Sequence, residues 1–404
     1  MKDRHLSNAK SGMKKSARNN SVRRKDVVAV LREEIIRGVY KPGSVFPTRA
    51  ELQQRFHTTP VTIQHAMDIL RRDGFVYSSA RRATYVSPSP PHLFRYAMVF
   101  TTPPASVEQP GARFFQTLIT VASAFDGSQR EPRKIVVQFS IEFEKESHET
   151  RAFLSSARAH CFAGLIFPQH PYVTGIADSP LCGIPGVPCA AIMDKPSDRI
   201  GAVMLDGDSL INKALDFFAD RKRKRLAVIS NISDPSFQAP VMAGARHRGL
   251  TIKPYWWQAV TNTTPQFAEN IAHLMFSEDI KDRPDALFIT DDNLADYALR
   301  GVVAAGIKVP YELEVVAHCN FPCGSPGILP VRRLGYDART IIETCLKSID
   351  QQRRGNPPGK HLVPAVFEEE VSLPAIPTDA GPMPQVSALS FSSTNSGKKP
   401  APSP

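Results

Sequence analysis

Residues 48–76 read Thr48-Arg49-Ala50-Glu51-Leu52-Gln53-Gln54-Arg55-Phe56-His57-Thr58-Thr59-Pro60-Val61-Thr62-Ile63-Gln64-His65-Ala66-Met67-Asp68-Ile69-Leu70-Arg71-Arg72-Asp73-Gly74-Phe75-Val76. Two helices separated by a short polar turn account for this pattern. Thr48 to Glu51 has the form of a capping box: the Thr oxygen caps the first turn and Glu51 reaches back to the cap. Leu52 and Phe56 then point inward. Thr59 caps the second helix, and Pro60 takes the first helical position, where a missing N–H costs nothing. Ile63, Ala66, Met67 and Leu70 recur at helical spacing, and Asp73-Gly74 stops the run.

Upstream, Val27, Val28, Leu31, Ile35 and Ile36 line one face of a helix over Lys25–Arg37, with Arg32, Glu33, Glu34 and Arg37 opposite. Gly38 ends it and Lys41-Pro42-Gly43 turns the chain. Downstream, Phe75-Val76-Tyr77 and Thr84-Tyr85-Val86 predict two short strands around a basic tip, Arg81-Arg82. Three helices followed by a two-stranded ribbon make residues 25–86 a winged helix-turn-helix.

Charge is concentrated in the same place. Residues 1–92 hold 18 Lys and Arg against 7 Asp and Glu, while the remaining 312 residues hold 32 of each. A basic head on a neutral body is the footprint of a domain that meets phosphate. A solvated basic face serving only solubility is the plainer alternative, so charge is informative here only beside the fold.

The head resembles the GntR family of bacterial regulators. The resemblance is carried by Ile36 through Gly43, Phe46-Pro47-Thr48 with Glu51-Leu52, Thr58 through Met67, Leu70, Asp73 through Val76, and Thr84-Tyr85-Val86. It implies double-stranded DNA as partner, with the third helix in the major groove and its N-terminal residues nearest the base edges. Thr59, Val61, Thr62, Gln64 and His65 are the candidate base readers. Gln64 suits adenine, and the methyls of Val61 and Thr62 suit a thymine methyl. Lys41, Arg49, Arg71, Arg72, Arg81 and Arg82 are candidate phosphate clamps. The chain departs from the family at Ala50, Pro60 and Gln64, where arginines are usual, and at Arg81, where the wing usually has glycine. The docking mode is therefore expected to carry over and the operator sequence is not.

At 404 residues, two or three domains are expected, and 42% apolar with 22% charged residues suits a globular protein. Six cysteines without a C-x-x-C pair suggest buried thiols in the reducing cytoplasm. No apolar run is long enough to span a membrane, and the basic N-terminus has no apolar segment of a secretory signal behind it. Residues 1–24 read as a disordered basic arm, or in part as sequence before a true start at Met13. Residues 374–404 read as a disordered tail. Ser87-Pro88-Ser89-Pro90-Pro91 predicts a stiff, extended linker over 87–92 without hydrogen-bonded structure.

Beyond it, apolar runs at Tyr96–Phe100, Ile135–Phe139, Gly164–Phe167, Cys189–Ile192, Leu226–Ser230, Ala286–Thr290 and Leu313–Ala317 alternate with amphipathic stretches. The stretches are Phe114–Phe125, Ser209–Ala219, Thr264–Phe276, Leu294–Ala305 and Ala338–Gln352. Such alternation predicts an α/β body with parallel sheets, and 93–373 is long enough for two lobes.

This body resembles the LacI/GalR effector domain, which shares its fold with periplasmic sugar-binding proteins. The matching residues include Ala163 through Pro168, Gly186-Val187-Pro188, Val203–Asp206, Lys224 through Ile229, Arg283 through Phe288, Asp291-Asp292, Ala304-Ala305-Gly306, Val309-Pro310, Leu313 through Val316 and Tyr336-Asp337. It implies a homodimeric regulator, with a sugar or nucleobase held between the lobes. Phe114, Phe115, Asp194, Asp206, Arg246, Asp291 and Asn320 are the ligand candidates, and core packing is the simpler role for the two phenylalanines. Val241 and Cys319 depart from the family's charged ligand positions, so a body that has lost its sensor role stays open. An enzyme is the remaining alternative. There is no G-x-S-x-G, Walker loop or G-x-G-x-x-G, and His318, Cys319 and Cys323 lack a fourth ligand for zinc. No cofactor and no catalytic residue is therefore expected.

Overall fold

The amphipathic pattern of the head folds as three helices, α1 (Arg24–Ile36), α2 (Arg49–Phe56) and α3 (Pro60–Arg72). The antiparallel ribbon of β1 (Val76–Ser78) and β2 (Thr84–Val86) follows. The computed structural model describes residues 24–371, apart from 80–82, 110, 126–131, 145–146, 232–234, 262, 279, 325–326 and 328. The expected arm and tail, and the wing-tip residues Arg81 and Arg82, lie outside the described residues. Both helix starts follow their sequence signals. Thr48 accepts from the Glu51 N–H while Glu51 accepts from the Thr48 N–H, and Thr59 accepts from the Thr62 N–H. Leu31, Phe46, Leu52, Ile63, Leu70 and Phe75 are fully buried between the helices and the ribbon.

The body begins with a helical turn, α4 (Pro91–Phe94), and β3 (Arg95–Val99). It continues through α5 (Pro104–Val107), α6 (Arg113–Ser123), β4 (Lys134–Gln138), α7 (His148–Arg158), β5 (Gly164–Phe167), β6 (Cys189–Ile192) and β7 (Ile200–Asp206). The chain then builds α8 (Gly207–Asp220), β8 (Leu226–Ser230), α9 (Pro235–His247), β9 (Trp257–Ala259) and α10 (Phe267–Phe276). After these come β10 (Ala286–Ile289), α11 (Asp292–Ala304), β11 (Glu314–Phe321), β12 (Arg332–Asp337), α12 (Ala338–Arg353), β13 (Lys360–Pro364) and β14 (Val366–Phe367).

These strands form two six-stranded sheets, ordered β13-β7-β6-β5-β3-β4 and β14-β12-β11-β10-β8-β9. Every pair is parallel except β12 with β14. Parallel sheets covered on both faces require strands without a polar side. Gly164–Phe167 and Ala286–Ile289 are accordingly buried at every residue.

The chain passes between the lobes three times: from β7 into α8, from β12 into α12, and from β13 into β14. Two crossings begin helices capped by an aspartate. Asp206 accepts from the Ser209 N–H at 3.0 Å, and Asp337 accepts from the Arg339 and Thr340 N–H groups. Helices α10 and α11 pack closely because residue 301 is glycine; a Cβ there would lie 2.1 Å from the Glu269 carbonyl oxygen.

The structure differs from expectation at the linker. Pro90 and Pro91 are buried, Pro91–Phe94 turns helically, and the Ser87 N–H donates to the Phe75 carbonyl at 2.9 Å. The reason is Phe75, whose far side needs cover. The His92 ring stacks on it with centroids 5.7 Å apart and planes 9° apart, while the Arg32 guanidinium lies over it at 5.3 Å. The head core continues without a break into the first lobe through Ala97, Val99, Leu165 and Phe167.

Burial, aided by the nearby Arg353 charge, lowers the His92 pKa to about 4. Unfolded chain binds this proton near pH 6.5 and folded chain only near 4, so the contribution is full above 6.5 and is lost as pH falls toward 4. About 2 kcal/mol should be lost between pH 7.5 and 5. Urea titrations at both pH values should show this much less loss in His92→Phe, which keeps a ring over Phe75. Equal losses in the two proteins would rule the assignment out.

Candidate nucleic-acid interface and inter-lobe cleft

The cap at Thr59 sets the first turn of α3 facing outward. Thr59, Val61 and His65 are exposed, Val61 at 72%, and Thr62 and Gln64 are half-buried. The five candidate base readers thus share the first two turns of one helix. An apolar side chain as open as Val61 has no packing role in the monomer and suits a thymine methyl. Lys41 lies exposed in the turn before the ribbon's edge, and Arg49 opens α2, also exposed. Arg71 donates to Asp68 at 2.8 Å and to the Ser78 hydroxyl of β1 at 3.1 Å, so it ties α3 to the ribbon. Tyr77 and Tyr85 stack on the ribbon at 5.6 Å. Asp68 was passed over in the sequence because one acidic residue among arginines has no periodic signature. It also accepts from the Gln64 amide nitrogen at 2.8 Å.

In the body, the C-terminal ends of parallel strands converge on the cleft edge of each lobe, the usual place for ligands in α/β sheets. On the first lobe, Phe115 meets Phe100 edge-on at 5.8 Å, Phe114 meets Phe115 at 5.5 Å, and Phe139 stacks on Phe100 at 5.2 Å. Phe114 and Phe115 are therefore part of an aromatic cluster and remain only partly buried. Asp194 follows β6, 66% exposed, with the His170 Nε2 at 3.6 Å.

On the second lobe Asp291 caps α11. Its carboxylate accepts from Asn231 Nδ2 at 2.6 Å and from the Asn293 backbone and amide N–H groups at 2.8 and 2.7 Å. Asn320, buried in β11, donates to Asp292 at 2.7 Å, and its Oδ1 has no partner. Burial raises the Asp292 carboxyl above the usual range, opposed by His318 and by the Asn320 hydrogen bond.

Two candidates are placed otherwise. The Asp206 carboxylate is engaged in capping α8. Arg246 is exposed in the last turn of α9, about 16 Å along the helix from its first residue and remote from the strand ends. Val241 of the same helix is fully buried, and Arg248 pairs with Asp216 at 2.6 Å. Of the two cysteines beside His318, Cys319 is buried and Cys323 is exposed. Among the described residues no group of three His, Cys, Asp or Glu could hold a metal ion.

Arg113, at the start of α6, went unread in the sequence and joins the lobes. It donates to Asp296 at 2.6 Å and to the Asp292 carbonyl at 2.9 Å, and its backbone N–H donates to Asn293 Oδ1 at 3.4 Å. Its only signal was its place directly before Phe114-Phe115.

An exposed recognition helix on a basic head, joined to two α/β lobes around a cleft, is the build of a DNA-binding transcriptional regulator. Residues 23–86 match the model of bacterial regulatory proteins of the gntR family, and residues 215–367 match the periplasmic binding protein-like domain. The chain is thus a regulator with a GntR-family head and a periplasmic-binding-protein-like body. Among solved structures it is similar to a regulatory protein of the LacI family from Chloroflexus aggregans. The two are 15% identical over 68% of this chain and 96% of that one, with a TM-score of 0.51, which supports the fold of the body. It is also similar to a LacI family transcription regulator from Clostridium acetobutylicum, 16% identical over 68% and 98% of the two chains, with a TM-score of 0.48. No curated protein matches the chain.

The Arg113 contacts hold the lobes together, and their side chains are about a third exposed. Arg113→Ala should therefore cost only about 1 kcal/mol of stability but increase the radius of gyration in solution scattering. An unchanged scattering curve would show that the lobes close without this contact.

Proposed function

We propose that the protein binds a near-palindromic operator as a homodimer in the cytoplasm, probing bases with the first two turns of α3. A sugar or sugar derivative between the lobes then changes that affinity, and the regulator acts as a repressor. The observation that carries the DNA reading is the outward row of Thr59, Val61, Thr62, Gln64 and His65, flanked by Lys41, Arg49 and Arg71. In the sequence, Arg81 and Arg82 add two further positive charges between β1 and β2.

For the dimer, the support is an uncovered apolar stripe on α10, where Phe267 at 52% exposure and Leu274 at 68% stand two turns apart on one face, with Val303 exposed at 48% on α11. A two-fold contact would cover this stripe once on each subunit. For the sugar, the support is the Asn320 Oδ1, a buried acceptor that a ligand hydroxyl would satisfy, together with the Phe114 and Phe115 rings for an apolar sugar face. Asp194 and Asp291 have carboxylate lone pairs left for further hydroxyls. Neither Asp206 nor Arg246 is needed for this grip. The body's work in this reading is binding, with no catalytic step.

A second reading keeps the DNA-binding dimer and gives the body no ligand. It is favoured by the Asp291 carboxylate, which already accepts three hydrogen bonds from its own chain.

Gel-shift titration of genomic fragments should find sites whose affinity falls about a thousandfold or more between 50 and 200 mM salt. A thermal-shift screen of sugars, sugar acids and nucleobases on the full chain separates the two readings. A true effector at about 100 times its Kd adds about 2.7 kcal/mol of stability. Operator binding with no stabilising compound class would leave the second reading standing.

Leu274→Asp places a charge in the stripe, where the monomer leaves it in water. The variant should keep its melting temperature, sediment as a monomer and bind the operator at least tenfold more weakly. A dimeric Leu274→Asp protein would move the interface elsewhere.

A further inference from the structure

Asp68 stands in the middle of the candidate DNA-reading face, exposed, one turn beyond Gln64 and one turn before Arg71. Its Oδ1 accepts from both, from Gln64 Nε2 and from Arg71 Nη1, each at 2.8 Å. A carboxylate can only accept hydrogen bonds, so the Gln64 atom facing it must be the amide nitrogen. One of the two Gln64 N–H donors is thereby engaged. The other N–H and the carbonyl oxygen remain as a donor–acceptor fork turned away from Asp68.

We propose that Asp68 is a positioning residue that fixes base specificity: it locks the Gln64 amide in the orientation that reads adenine and forbids the flipped orientation. This rests on the DNA-binding reading of α3. Adenine presents an N6 donor and an N7 acceptor in the major groove, which match the fork. Guanine presents only the acceptors O6 and N7, which leave the Gln64 carbonyl without a donor. A free glutamine amide can turn its NH2 alone toward guanine O6 or N7 and leave its carbonyl in water, so it discriminates the two purines less. With Asp68 in place, a guanine at this position leaves two acceptors facing each other.

The hydrogen bonds from Gln64, then Arg71, hold the Asp68 carboxyl below the usual carboxylate range, so the lock stays charged at neutral pH. Arg71 also compensates the acidic charge where phosphates approach. Through Ser78 it also ties α3 to the ribbon.

The test uses the full-length protein and a duplex library randomised around the operator, then purified duplexes differing at one base. Wild type should enrich adenine at one position in each half-site and favour it over guanine by about tenfold or more. Asp68→Asn is the same size but offers a donor as well as an acceptor. It should bring that ratio close to one, as should Asp68→Ala. Arg71→Ala should weaken binding to all duplexes and leave the ratio intact. Gln64→Ala should lose the preference, and adding Asp68→Ala to it should change the ratio no further.

An adenine-to-guanine ratio retained in Asp68→Asn would overturn the proposal, as would an Asp68→Ala profile that merely copies Arg71→Ala. A wild-type protein that enriches no sequence would instead overturn the DNA-binding reading itself. The Asp68 and Gln64 side chains reach solvent, so these variants should melt with the wild type, which a thermal scan checks.

Discussion

Phe75 is buried with the Arg32 guanidinium over one side and the His92 ring stacked against it, and the placement of the head depends on this contact. Arg32 belongs to the first helix, Phe75 to the turn that ends the recognition helix, and His92 to the body. Arg32 is held in turn by Asp73 at 2.5 Å, directly before the Gly74 turn. The ion pair is mostly shielded, so it keeps more of its Coulomb energy than an open surface pair would. Since Phe75 also hydrogen-bonds to Ser87, the chain leaves the ribbon already fixed against the lobe. A rotation of the first lobe carries α3 with it, with no slack segment to absorb the motion.

That rigidity gives the three crossings between lobes their importance. If the head moves with the first lobe, the relative movement available to a ligand lies at residues 206–207, 337–338 and 365. Asp206 and Asp337 end one element and cap the next, satisfying helix N–H groups that a crossing would otherwise leave bare. Ala365 is fully buried between β13 and β14. Bending there changes a few backbone angles and leaves both sheets intact, while Arg113 opposes it by pairing with α11.

The legible parts of the sequence were those with local grammar. The caps at Thr48 and Thr59, the stop at Gly74 and the fully apolar strands each carry their signal within a few residues. The polar or short strands β12, β13 and β14 do not. Arg332-Arg333-Leu334-Gly335-Tyr336-Asp337 pairs with β11 through its backbone, and its arginines reach Glu368 and Glu369. Helix α9 contains Pro240, which the local rules count against a helix. The Ser/Pro segment looked like a spacer because the partner that orders it, Phe75, lies in another domain. Arg113 and Asp68 were missed for a related reason. Each matters through a pairing, across the cleft or along the helix, and neither belongs to an apolar period.

Burial also sets the state of the thiols and carboxyls near the cleft. Burial pushes the Cys319 thiol up to about 12 and the Cys345 thiol to about 12, so neither is a thiolate at neutral pH. Asp292, the carboxyl whose pKa burial raises, is tied to Asn320 and lies beside His318. The Asp291 and Asp292 carboxylates are both directed at amides of their own chain. Amides holding carboxylates make a rigid, pre-oriented surface. The same arrangement operates at the other end of the protein, where Asp68 orients Gln64. In both places an acidic group fixes which face of an amide is presented.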